Sequence, residues 1–82
     1  MAMRKTNKKN LTLSVIYEAA LEGGYIAFVP SLPGCHTQGD NLKETKKNVK
    51  EAISLYLESL QRHNEPLPKD TRILQGKVQV FV

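Results

Sequence analysis

The sequence predicts an α+β domain in which three β-strands are followed by one long helix and a fourth strand. Apolar residues alternate over residues 11–18, recur every three or four positions over about 42–63, and alternate again over 77–82. A right-handed crossover through the helix would set the last strand parallel to the first. The expected architecture is a β-β-β-α-β two-layer sandwich with sheet order 3-2-1-4.

The first three predicted strands form an antiparallel meander. Residues 11–18 have the period of a half-buried strand, and Glu22-Gly23-Gly24 is a hairpin turn sequence. The apolar run 25–29 suits a central strand and ends at Pro30, because proline has no backbone donor for the sheet. Residues 35–38 make a short third strand, which completes the meander.

The helix is predicted from about Leu42 to about His63. Asn41 followed by Glu44 has the spacing of a capping box, in which side chains satisfy the unpaired N–H groups of the first turn. Residues 64–68 contain two prolines and end the helix. Its apolar stripe consists of Leu42, Thr45, Val49, Ala52, Ile53, Tyr56, Leu57 and Leu60.

A single helix leaves one face of the sheet uncovered. Ile16, Phe28 and Phe81 are predicted on that face, where apolar side chains favour contact with another chain. The short third strand and the last strand are candidate edges that invite pairing. We therefore expect a homodimer or tetramer whose interface includes these three residues.

Composition limits the protein class. The chain has 82 residues, 40% of them hydrophobic and 24% charged, which is typical of one globular domain. One cysteine excludes an internal disulfide, and no apolar run approaches the roughly 20 residues of a membrane span. No secretory signal is recognised, so the expected location is the cytoplasm.

The positive charge is concentrated at the N-terminus. The net charge is +4, and from residue 11 onward eight basic residues balance eight acidic ones. Residues 1–10 are therefore predicted to be a flexible basic arm, and residues 11–82 the folded domain. Four charges make a small electrostatic footprint, so we expect weak nucleic-acid binding or none. The arm's cations are Arg4, Lys5, Lys8 and Lys9.

The residues do not assemble a recognisable catalytic site. The predicted topology resembles the core of the ribonuclease H fold, whose members cluster carboxylates around metal ions, but no such cluster is visible here. Cys35 and His36 are adjacent on a strand and point to opposite faces, while His63 lies at the far end of the helix. We therefore predict no enzymatic activity, no metal and no cofactor.

Several sequence blocks resemble the HicB family of antitoxins. They are residues 23–30, the run Leu-Pro-Gly-Cys-His-Thr-Gln-Gly-Asp at 32–40, residues 52–57 of the helix, and Pro-Leu-Pro at 66–68. These blocks stand in the family's order and cover about residues 11–82. The resemblance implies a degraded, partial ribonuclease H-like fold that has lost its catalytic acids.

The resemblance also implies a function. HicB proteins bind and sterically neutralise HicA, a small RNA-cleaving toxin. Many carry an additional C-terminal DNA-binding domain, whereas this sequence is expected to be the single-domain form. The predicted partner-binding loop contains Pro30, Leu32, Pro33 and His36. The alternatives are an orphan HicB-like oligomer that binds another protein or ligand, and a weak nucleic-acid-binding module.

Overall fold

A computed structural model describes residues 10–82 and confirms an α+β architecture. The three strands form one antiparallel sheet in the order β1-β2-β3, and the helix packs over β2 and β3. No helix within residues 10–82 has the length and apolar character needed to cross a membrane. The elements are β1 (Ile16–Ala19), β2 (Tyr25–Phe28), β3 (His36–Gly39) and α1 (Leu42–Arg62).

The strand register gives the sheet two different faces. Ala27 on β2 is paired with Tyr17 on β1, and because directly paired residues share a face, both lie on the helix side. Ala27 is completely buried there. Its neighbour Phe28 is paired with Ile16 and points to the opposite side, where it is 39% exposed. The open face of the sheet is therefore the face that carries Ile16 and Phe28.

The helix begins as the sequence predicts. Asn41 is the N-cap, and its Oδ1 accepts a hydrogen bond of 2.8 Å from the backbone N–H of Glu44. The Glu44 carboxylate accepts the N–H of Asp40, one residue before the usual capping-box donor. Both contacts satisfy donors that would otherwise be unpaired in the first turn. The helix ends at Arg62, one residue before the predicted limit.

The core lies between the first half of α1 and the end of β2. It consists of Ala27, Val29, Leu32, Cys35 and Val49. The predicted helix stripe is confirmed except at Leu42, which is 38% exposed. Thr45 and Val49 are buried, whereas the later members are half-buried against the core; these are Ala52, Ile53, Tyr56, Leu57 and Leu60.

A glycine allows the helix to approach β3 closely. A Cβ atom added at Gly39 would lie 2.6 Å from Oγ1 and 2.7 Å from the backbone nitrogen of Thr45. Real Cβ atoms do not make contacts this short, so any larger residue would force α1 away from the sheet. Gly39 therefore sets the distance between the two layers.

The first strand is shorter than predicted. Residues 11–15 are not part of the sheet, and β1 starts only at Ile16. The backbone N–H of Ser14 donates instead to Oδ1 of Asp70 at 2.7 Å. A donor used in this way is unavailable for a ladder bond, which shortens the strand.

The predicted fourth strand is absent from the described residues. Among residues 10–82 the sheet has three strands and residues 77–82 belong to none of them, so the described part of the chain does not form the predicted order 3-2-1-4. The Ser14 hydroxyl donates to the Thr71 carbonyl at 3.2 Å. If the chain continued from this contact as a strand parallel to β1, residues 73–76 would lie beside β1. The alternating run begins only at Lys77, beyond the end of β1.

Candidate partner-binding surface

The open face carries a row of apolar and aromatic side chains across all three strands. Ile16, Phe28 and His36 are consecutive partners in the strand register. Ile16 is 40% exposed, and the rings of Phe28 and His36 have centroids 6.4 Å apart. Such a row on a sheet surface is suited to contact with another protein.

The row is bordered by a loop that we call the proline loop, residues 30–35. Its backbone bonds close it on itself: the N–H of Leu32 donates to the Val29 carbonyl and the N–H of Cys35 donates to the Leu32 carbonyl, both at 2.9 Å. The N–H of Val29 donates to the Cys35 carbonyl at 3.1 Å. Leu32 is only 1% exposed and fixes the loop to the core. The loop is consequently preformed.

The helix braces the outer part of the proline loop. The hydroxyl of Tyr56 donates to the carbonyl of Pro33 at 2.9 Å. Gly34 adopts a φ of 81°, a left-handed conformation that favours glycine. Nδ1 of His36 lies 3.1 Å from the Gly34 carbonyl, so this nitrogen carries the proton and donates.

A shallow depression separates the loop from Phe28. Its volume is about 220 Å³, and its walls include Phe28, Pro30, Pro33 and His36. Small-molecule pockets usually have about 300–1,000 Å³. The depression is therefore better suited to one apolar side chain of a protein partner than to a free ligand.

The thiol of Cys35 is buried beneath this surface. Burial raises the pKa of the Cys35 thiol, which keeps it in the protonated, weakly nucleophilic form. Within residues 10–82, no three His, Cys, Asp or Glu side chains are grouped so that they could hold a metal ion. His63 lies at the end of α1, where Nδ1 is 2.8 Å from the Ser59 carbonyl.

The predicted site residues are distributed unevenly. Ile16 and Phe28 lie together on the open face, but Phe81 is 96% exposed in the C-terminal part of the chain and contributes nothing to that face. Pro30, Pro33 and His36 are exposed, and Leu32 is buried beneath them. The basic arm, with Arg4, Lys5, Lys8 and Lys9, lies outside the described residues.

Sequence reasoning missed the contribution of Tyr56. The helical spacing placed it on the apolar stripe, and its ring is indeed half-buried against the core. Its hydroxyl, however, reaches the proline loop. Tyr56 is the one aromatic residue of the stripe, and this was the available indication, since a tyrosine ring packed against a core usually needs a polar partner for its hydroxyl.

Comparison with known proteins identifies the family. A model described as HicB_like antitoxin of bacterial toxin-antitoxin system matches residues 5–79. A UPF0150 protein of Synechocystis sp. is 45% identical over 73 residues, which cover 89% of this chain and 92% of the relative. A UPF0150 protein of Thermoplasma acidophilum is 51% identical over 57 residues, or 70% of this chain and 83% of that protein. An uncharacterised 14.9 kDa protein of Haemophilus phage HP1 is 46% identical over 52 residues, or 63% of this chain and 39% of that protein. The chain therefore belongs to the HicB-like antitoxin family.

Proposed function

We propose that this protein is an antitoxin that binds and sterically neutralises a HicA-type RNA-cleaving toxin. Family membership supports the antitoxin role and a toxin as the kind of partner. The observation that carries the docking site is the exposed row of Ile16, Phe28 and His36 beside the preformed proline loop. We assign the toxin contact to this combined surface.

Charge favours this surface over the helix. The outer side of α1 has four exposed lysines, Lys43, Lys46, Lys47 and Lys50. A toxin that holds RNA needs a basic surface to bind the phosphate backbone. Like charges would repel such a toxin from the helix. The open face is on the opposite layer and offers an apolar contact instead.

Inhibition in this proposal requires only binding. The proline loop is closed by its own hydrogen bonds and braced by Tyr56, so little conformational entropy is lost when a partner docks. A bound antitoxin excludes RNA from the covered toxin surface. Inhibition should then follow the stoichiometry of the complex, with no turnover by this protein.

We further infer the setting of this activity. The single cysteine and the family's intracellular target support a cytoplasmic location. We interpret the sheet and helix as a partial ribonuclease H-like fold without enzymatic activity, acting as a homodimer or tetramer. Any nucleic-acid contact through Arg4, Lys5, Lys8 and Lys9 is expected to be weak and sensitive to salt.

The test is inhibition of a small basic RNase encoded beside this protein. Wild type should suppress RNA cleavage at an equimolar ratio. Phe28→Asp places a charge in the apolar contact and should raise the dissociation constant at least about 30-fold. The matched control is Leu55→Asp, since Leu55 is 62% exposed on α1. It should inhibit like wild type. Equal inhibition by wild type and Phe28→Asp would contradict the assigned surface, and failure of wild type to bind would contradict the function.

A further inference from the structure

We propose that residues 77–82, here called the C-terminal segment, add as an antiparallel strand to the outer edge of β1 in a second copy of this chain. The second copy returns the same contact, which closes a two-fold symmetric dimer. This inference concerns self-assembly and does not depend on the identity of a toxin.

The C-terminal segment has the composition of a strand but pairs with no strand of residues 10–82. Valines alternate with other residues, and β-branched side chains favour extended structure. Val78 is 86% exposed, Val80 68% and Phe81 96%. Four of its six residues are apolar, and their exposure leaves a large apolar surface in water for an 82-residue chain. Pairing with a sheet edge would cover it and satisfy its backbone groups.

The edge of β3 is partly blocked. The Val29 N–H donates to the Cys35 carbonyl, so residues 29 and 35 form a hydrogen-bonded pair of the β2–β3 ladder. Because such pairs alternate, the backbone groups of Gln38 point away from β2, toward solvent. The side-chain amide of Asn48 donates to the Gln38 carbonyl at 2.8 Å. A docking strand would have to displace this contact.

The edge of β1 is open. The Ala20 N–H donates to the Gly24 carbonyl at 3.0 Å, and the same alternation turns the backbone groups of Tyr17 and Ala19 away from β2. These groups have no hydrogen-bond partner among residues 10–82. The helix does not cover β1. Unpaired edges of this kind are templates for another strand.

Charge and hydrophobicity select one register. If Lys77 lies opposite Glu18 in an antiparallel pair, Val78 lies opposite Tyr17 on the helix side of the sheet. The first pair then joins opposite charges, and the second joins two apolar side chains. A parallel arrangement with Val78 opposite Tyr17 would instead place Gln79 beside Glu18 and lose the pair of opposite charges. Antiparallel pairs are also slightly more stable per residue.

This register also explains the third residue of the predicted interface. Phe81 would lie opposite Ser14 of the other copy, on the face of the sheet that carries Ile16. The sequence prediction grouped these three residues, and one chain by itself brings together only two of them. In the dimer, the open face would be continued by an aromatic side chain of the second copy.

The first test measures the mass of the full-length protein in solution by sedimentation equilibrium. Wild type should be a dimer at about 50 µM, and Val80→Asp should raise the dissociation constant at least about 30-fold. The control is Leu74→Asp, because Leu74 is 88% exposed but precedes the C-terminal segment. It should change the constant by less than about twofold. A monomeric wild type, or a Val80→Asp variant that dimerises like wild type, would overturn the proposal.

The second test separates exchange between copies from pairing within one chain. In the Lys77→Glu homodimer and in the Glu18→Lys homodimer, like charges face each other, which should weaken each about threefold to tenfold. Mixing the two variants should produce a heterodimer in which every pair is of opposite charge and the affinity is restored. The control is Lys69→Glu, which should show no preference for either variant. Random mixing, measured by native mass spectrometry, would contradict the exchange.

Discussion

β2 and the C-terminal segment are two apolar runs of similar length, but β2 is paired in the sheet and the C-terminal segment is exposed to solvent. β2 is the central strand, and Ala27 within it is completely buried. In the C-terminal segment, Val78 is 86% exposed. Both runs have a pattern typical of strands, so the difference lies in what surrounds them. β2 has a strand on each side and a helix above, all supplied by the continuous stretch from Ile16 to Arg62. An alternating pattern thus shows that a segment can form a strand. Whether it does so depends on whether a neighbouring strand is available to pair with it.

The largest difference in unfolding free energy between the two regions should appear when a buried leucine and an exposed leucine are each truncated. Leu32→Ala should lower the free energy of unfolding by about 2–5 kcal/mol, because Leu32 is almost fully buried and would leave a cavity. Leu74→Ala should change it by less than about 0.5 kcal/mol. Urea denaturation measures both. Similar losses for the two variants would show that the C-terminal part is packed in solution, which would remove the contrast.

The strands and the start of the helix were largely predictable, because the contacts that fix them join residues close in sequence. Asn41 fixes the start of α1 through a contact three residues away, and the helical stripe identifies Val49 as a core residue. Ile16 and Phe28 could be assigned to one face from the alternation of the hairpin.

The features that sequence reasoning missed depend on contacts distant in sequence. Tyr56 reaches Pro33 only because of where the helix crosses the loop. Leu32 was expected at a partner contact, yet its side chain is buried in the core. The fourth strand was expected from its alternating pattern and a right-handed crossover, but residues 77–82 pair with no strand of the described chain.

Two glycines, Gly39 and Gly76, should differ less in their effect on stability than the two leucines do. Gly39→Ala should cost about 1–3 kcal/mol of unfolding free energy, since the added Cβ would collide with Thr45. Gly76 has no heavy atom within 4 Å of an added Cβ, and its φ is not in the left-handed region. Gly76→Ala should therefore be neutral or slightly stabilising. Thermal unfolding of the two variants is sufficient, and an equal loss at both positions would contradict the close contact between α1 and β3.

The smallest of these effects concerns the helix cap. Asn41→Ala removes the side-chain acceptor of the Glu44 N–H and should lower stability by about 1 kcal/mol. Asn10→Ala changes an exposed residue and should have no measurable effect. Urea denaturation followed by circular dichroism measures both. A loss at Asn41 of less than about 0.3 kcal/mol would mean that solvent replaces the cap.

We propose that the C-terminal segment becomes a strand only with a second copy of the chain. Hydrogen exchange of its backbone amides at two protein concentrations tests this most directly. Amides of β2 should be protected at both concentrations. The amide of Val78, which would pair with Tyr17 of the second copy, should be protected well above the dimer dissociation constant and should lose that protection on dilution below it. Protection that is independent of concentration, or absent from a protein that is dimeric, would contradict the account.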